Sequence, residues 1–170
     1  MQHFEGQYHG AALQAFIRGL ASSETLVQQI LQAHDLTDIA ADVWYDLNLA
    51  RSIYYTVGKQ IGERSLFGVG LRMIDSATFP PGITDVRAVL ASLDHAYHMN
   101  VRGPAIGSIT AEFEDDCSAI VTFATPFPCA LSRGITQGCC RKFVANALLE
   151  HGPGGCIDTG APDCKLHVAW

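Results

Sequence analysis

Positive charge is scarce in this chain: 11 Lys and Arg stand against 17 Asp and Glu, for a formal charge of −6. No basic cluster offsets that balance, which excludes a nucleic-acid-binding surface. Long apolar runs are missing, so no membrane-spanning segment is expected. The opening MQHFEGQYHG also lacks the basic-then-apolar order of a secretory signal. Low-complexity tracts and internal repeats are absent, and with 48% hydrophobic and 16% charged residues the composition excludes disorder. Catalytic signatures are missing too: there is no Gly-x-Ser-x-Gly elbow, phosphate loop, dinucleotide fingerprint or His-Glu-x-x-His. The carboxylate run Glu114, Asp115, Asp116 falls on an expected hairpin tip and reads as a solvated turn. A non-enzymatic, cytoplasmic protein is the expectation, folded as one domain over 1–170, either whole or cut from a longer chain.

What is present divides into a helical part and a mixed part. GAALQAFIRGLA (10–21) predicts a short amphipathic helix, and Ser22 or Ser23 would cap a second, ETLVQQILQAH. A third helix is predicted from Asp42 to Gly62 and a fourth over RSLFGVGLRMIDSATF, closed by Pro80-Pro81. Thr84 or Asp85 then caps VRAVLASLDHAYHMN, with Val86, Leu90, Leu93 and Tyr97 along one face. After Gly103-Pro104 the pattern becomes β-rich. AIGSITAEF and SAIVTFAT predict a hairpin around EDDC, ITQGCCRKFVANALLEH a long helix, and CIDTG with CKLHVAW a second hairpin. The fold class is therefore α+β: N-terminal helices packed on an antiparallel sheet, with a C-terminal β-β-α-β-β unit.

Six cysteines in a reducing compartment suggest free thiols or metal ligation before disulfides. Cys156 and Cys164, with seven residues between them, would lie at facing ends of the terminal hairpin. Cys129 follows Pro128 at a helix entrance, where the helix dipole favours a thiolate. His151 would close the same helix. Zinc takes four such ligands in a tetrahedron, and an ion here would pin both helix ends to the hairpin. Buried, unligated thiols are the other reading of this spacing, and a Cys129–His151 nucleophile pair is a third. Cys139 and Cys140 sit mid-helix beside Phe143 and read as core.

PCALSRGITQG followed by CIDTGAPDCKLHV resembles the C-terminal half of the vinyl-reductase-like small-molecule-binding domains. These include the phenol-sensing domains of aromatic-responsive bacterial transcription activators. Cys129, Gly134 and Gly138 reproduce that family's spacing, as do Cys156 and Cys164 with Gly160 between them. The resemblance implies a structural zinc on the three cysteines. The family's acidic residue before the cysteine pair is replaced by GPGG, which leaves His151, or Glu150 beside it, as fourth ligand.

The same superfamily holds the heme nitric-oxide-binding domains and subunits of a Golgi tethering complex. LASLDHAYHMNVR resembles the heme family's helix, in which a Leu-Asp pair precedes the iron-ligating His. Here Tyr97 falls at that position and His98 one later, while Ala130 replaces the tyrosine of the family's Tyr-x-Ser-x-Arg propionate clamp. Helix geometry turns Tyr97 inward, leaves His98 at the edge one turn after Asp94, and puts His95 in solvent.

The resemblance implies a sensor for a small hydrophobic or aromatic molecule, bound among Trp44, Tyr54, Phe67, Tyr97, His98 and Phe127. It would signal through a homodimer or a fused output domain. A heme-based gas sensor using His98 or Tyr97, and a non-enzymatic assembly module, are the alternatives.

Overall fold

The computed structural model describes residues 4–20, 24–75, 77, 79–144 and 146–170. The chain opens on a strand, β1 (Glu5–His9), followed by helices α1 (Gly10–Gly19) and α2 (Glu24–Ala33). The expected caps of α2, Ser22 and Ser23, lie outside the described residues. A short strand β2 (Trp44–Asp46) leads into α3 (Leu47–Ile61) and α4 (Glu63–Asp75), then α5 (Val86–Asn100). The second part runs β3 (Val101–Ala105), β4 (Ser108–Phe113), β5 (Ser118–Ala124), α6 (Cys129–Arg141), β6 (Leu148–His151), a 3-10 turn (Ile157–Thr159) and β7 (Cys164–Ala169). The α+β class holds, and β4-β5-α6-β6-β7 is the C-terminal β-β-α-β-β unit.

All strand pairs are antiparallel, in two sheets of order β2-β1-β3 and β4-β5-β7-β6. Alternation drives the larger sheet. Ala119, Val121 and Phe123 of β5 and Cys164, Leu166 and Val168 of β7 face inward. Their cover is α5, through Val86, Val89, Leu90 and Leu93, and α6, through Cys139 and Cys140. A separate core lies among α1, α3, α4 and β1, centred on Leu13, Phe16, Ile53, Tyr54 and Leu66. The N-terminal helices pack on antiparallel sheet as expected, α5 together with α6 covering the four-stranded one and α1 and α3 packing by β1.

Several expected boundaries move. Residues 42–46 are not the start of α3, because Trp44–Asp46 pairs with β1 and Asp46 caps the helix, its carboxylate accepting from Asn48 and Leu49 N–H. Asp85 caps α5 in the same way through Ala88 N–H at 2.7 Å. The fourth helix ends at Asp75, short of Phe79. AIGSITAEF is broken at Gly107, whose φ of +84° suits a residue without a Cβ and separates β3 from β4. The long helix begins earlier and stops earlier than expected, and LLEH (148–151) is a strand on β7. CIDTG is a turn between glycines of positive φ, Gly155 and Gly160, and not a strand.

The glycines of α6 have a structural use. A Cβ on Gly70 of α4 would lie 2.6 Å from the Leu131 carbonyl oxygen, and one on Gly134 would overlap the Phe67 carbonyl. Backbone therefore rests on backbone where α4 crosses α6. Gly134→Val should lower the unfolding free energy by about 3 kcal/mol through overpacking. Gly82→Val, where a Cβ meets nothing within 4 Å, should leave the urea midpoint nearly unchanged.

Candidate metal centre and the aromatic interior

Three segments converge at the head of α6. Cys129 is the first residue of α6 and is buried. Cys164 opens β7 opposite Phe123 and is buried too. His151 ends β6 opposite Leu166, so the ladder fixes its place relative to Cys164. The loop between them starts at Gly152, whose N–H still bonds the Lys165 carbonyl at 2.7 Å. The loop then folds back through Gly155, setting Cys156 Sγ 3.2 Å from Cys164 Sγ. That distance is far beyond the roughly 2.05 Å of a disulfide, and all six cysteines are free thiols.

Ligand atoms of Cys129, His151, Cys156 and Cys164 all lie within 4.8 Å of one another. A tetrahedral zinc with Zn–S near 2.3 Å needs sulfur pairs about 3.7 Å apart, so the cluster has the size of one coordination sphere. The His151 Nδ1 lies 3.0 Å from the Gly152 carbonyl. A carbonyl only accepts, so Nδ1 donates in that contact and Nε2 is the ring nitrogen a metal would take. Ionisation is uneven in the cluster. A side-chain hydrogen bond with Cys129, together with the Ile157 N–H at 3.1 Å, pulls Cys164 down to about 5 against the cost of burial. The same hydrogen bond and burial push Cys129 well above the ordinary thiol range, and burial raises Cys156. A thiolate is thus available for a cation.

All four expected ligands come together, but by a different connection. His151 lies on a strand, not at the end of α6, so an ion here would tie the head of α6 to the β6–β7 hairpin and would not touch the helix's other end. Cys139 and Cys140 lie in the core, their thiols raised to about 12 and about 11 chiefly by burial.

Asp158 is a further member of this corner that spacing did not single out. Its carboxylate accepts from Cys129 N–H and from the Tyr55 hydroxyl, each at 2.9 Å, joining the loop to α6 and α3. An Asp two residues after Cys156 was the available signal. Nothing local marks Tyr55.

The six expected ligand-binding residues do not form one pocket. Tyr54 and Phe127 are buried side by side, ring centroids 4.9 Å apart, with Tyr97 packed on Phe127. Trp44 lies elsewhere, between His9 and the Arg102 guanidinium. Phe67 lines a separate depression with Arg133. His98 is 41% exposed and bonds back to the Asp94 carbonyl at 2.8 Å. In the interior, Phe16, Tyr8 and Phe127 surround the Tyr54 ring, and Tyr8 and Tyr54 share a hydrogen bond of 2.8 Å.

Burial pushes Tyr8 up from 10.0 to about 12, and Tyr54 well above 10.0. A folded value raised above the unfolded one favours the neutral phenol. Its stabilisation is complete below pH 10.0 and is lost as pH rises through about 12. Urea unfolding across that alkaline window should show the loss, and Tyr8→Phe with Tyr54→Phe should reduce it.

No protein-family model matches the chain, and no curated protein does. Solved structures do match. A heme protein studied for the effect of porphyrin distortion on redox potential shares 16% identity at TM-score 0.72, over 95% of this chain and 99% of its own. An H-NOX (heme nitric-oxide-binding) protein from Shewanella oneidensis shares 14% at TM-score 0.70, over 95% of each chain. An oxygen-binding H-NOX domain related to soluble guanylate cyclases shares 16% at TM-score 0.71, over 94% and 93%. The chain has the fold of the H-NOX domains.

Proposed function

We propose that this chain is a non-enzymatic sensor domain on the H-NOX fold, with a structural zinc ion on Cys129, His151, Cys156 and Cys164. The observation that carries the reading is the convergence of those four donors within 4.8 Å. Three sulfurs and an imidazole leave no open coordination position, which is the pattern of a structural site. The ion would clamp the loop after β6 to the head of α6, and Asp158 would carry that order on to α3. The output is a second copy or a fused domain in the cytoplasm.

For the sensed molecule, the solved neighbours support a heme-based gas sensor better than they support a small apolar or aromatic ligand. Side chains at the iron position do not fit the group. Tyr97 stands where the iron-ligating His is expected, and its hydroxyl donates to the Ile106 carbonyl. Burial raises that phenol, which opposes the phenolate an iron–tyrosine bond requires. His98 is held on the outer side by Asp94, and Ala130 offers no hydroxyl to a propionate. A small apolar ligand would instead have to part the Tyr8, Tyr54 and Phe127 rings.

Elemental analysis and an absorption spectrum of the native protein separate the readings. One zinc per chain and no Soret band are expected. A Soret band lost in Tyr97→Phe or His98→Ala would establish the heme reading instead. Cys164→Ser should abolish zinc binding and lower the unfolding free energy by on the order of 4 kcal/mol, while Cys139→Ser should keep the metal. Zinc retained in Cys164→Ser would refute the assigned ligand set.

A further inference from the structure

Cys129 begins α6 behind Pro128, which stands at the N-cap and has no side-chain group that could accept a hydrogen bond. The opening N–H groups of a helix need acceptors from outside it. Asp158, 29 residues further along the chain, supplies one: its Oδ2 accepts from the Cys129 N–H at 2.9 Å. That sets an anion at the positive end of the helix. The other oxygen, Oδ1, accepts from the Tyr55 hydroxyl at 2.9 Å. Tyr55 belongs to α3, which Ile53, Tyr54 and Val57 anchor in the core.

The loop that carries Asp158 is closed on itself. The Cys156 carbonyl accepts from the Thr159 and Ala161 N–H groups at 2.9 and 3.0 Å, and the Ile157 N–H turns onto Cys164 Sγ at 3.1 Å. The ladder between β6 and β7 ends at Gly152, before this turn begins. A turn closed in this way is placed as a unit, and Asp158 joins it to two helices.

We infer that Asp158, braced by Tyr55, is the positioning residue of this corner: it seats the Cys156 turn on the head of α6 and gathers the donors before any cation binds. Asp158 stands outside the set of four donors, and each of its oxygens already accepts a bond, so it orients the site without ligating. A loop ordered beforehand need not be ordered at the moment of binding, which raises affinity. The effect on metal affinity rests on the zinc reading; the placement of the turn does not.

Zinc affinity of the full chain, measured by competition with a chromophoric chelator, should fall about 10- to 100-fold in Asp158→Ala. Asp158→Asn, whose amide keeps one acceptor oxygen, should lie between that variant and the parent chain. Tyr55→Phe should weaken binding less than Asp158→Ala does. In an Asp158→Ala background it should add nothing, since the hydroxyl acts through that carboxylate. Iodoacetamide labelling of the metal-stripped chain, resolved by mass spectrometry, reads the seat with no metal present. Cys156 should react severalfold faster in Asp158→Ala, while exposed Cys117 and buried Cys139 keep their rates. Asp158 is itself exposed, so its replacement leaves the core intact. An unchanged Cys156 rate in Asp158→Ala, or an equal loss of affinity on Tyr55→Phe in both backgrounds, would overturn the positioning role. A chain that takes up no zinc would sink the metal reading alone, and the labelling rates would still decide the placement of the turn.

Discussion

The seat of α6 on α4 is the constraint from which the candidate site follows. Gly70 and Gly134 let the two backbones touch, and Gly138 extends the crossing toward Ile74. Contact that close fixes the height and rotation of α6. Cys129 is thereby set at the mouth of the β6–β7 hairpin, Ala130 and Arg133 face α4, and Cys139 and Cys140 are sunk into the sheet-side core. A side chain at either crossing glycine would push the helix outward and displace all of these together.

Around the head of α6 the protein concentrates its unusual chemistry. Three thiols and an imidazole share one small volume, a backbone N–H is turned onto a sulfur, and a carboxylate caps the helix while gripping a tyrosine of α3. Carboxylates are otherwise sparsely paired with basic side chains: the Asp94–His98 contact at 3.3 Å is the one such pair among the described residues. Electrostatic order at this corner thus comes from local hydrogen bonding, not from a network of surface charges. The H-NOX fold is shared with proteins that carry iron, yet here the Tyr8, Phe16 and Phe127 rings pack around Tyr54. A fold positions a site without dictating its chemistry.

Legibility differed between elements for physical reasons. Helices with an apolar stripe were visible because burial on one face imposes a period near 3.6: Val86, Leu90 and Leu93 are buried as their spacing implies. The strands β1, β2 and β3 were not, since segments of three to five residues are too short to display alternation. LLEH reads as helix by composition, but pairing with β7 outweighs that intrinsic preference. The cysteine cluster was legible as a set of residues and not as a connection, because the element that carries His151 is fixed by its partner strand and not by its own sequence.

From its residues alone the chain settled its α+β class, the inward stripe of α5, the core placement of Cys139 and Cys140, and the identity of four potential metal ligands. These are local or compositional properties, decided by periodicity and by side-chain chemistry. Whether the four donors meet, how far His98 is exposed, and that Arg133 Nε has no partner among the described residues were decided only in three dimensions. Each depends on contacts between segments far apart in sequence, such as Tyr55 with Asp158 or Phe67 with Gly134. No local pattern encodes a distance of that kind, because it is the sum of packing choices made along the whole chain.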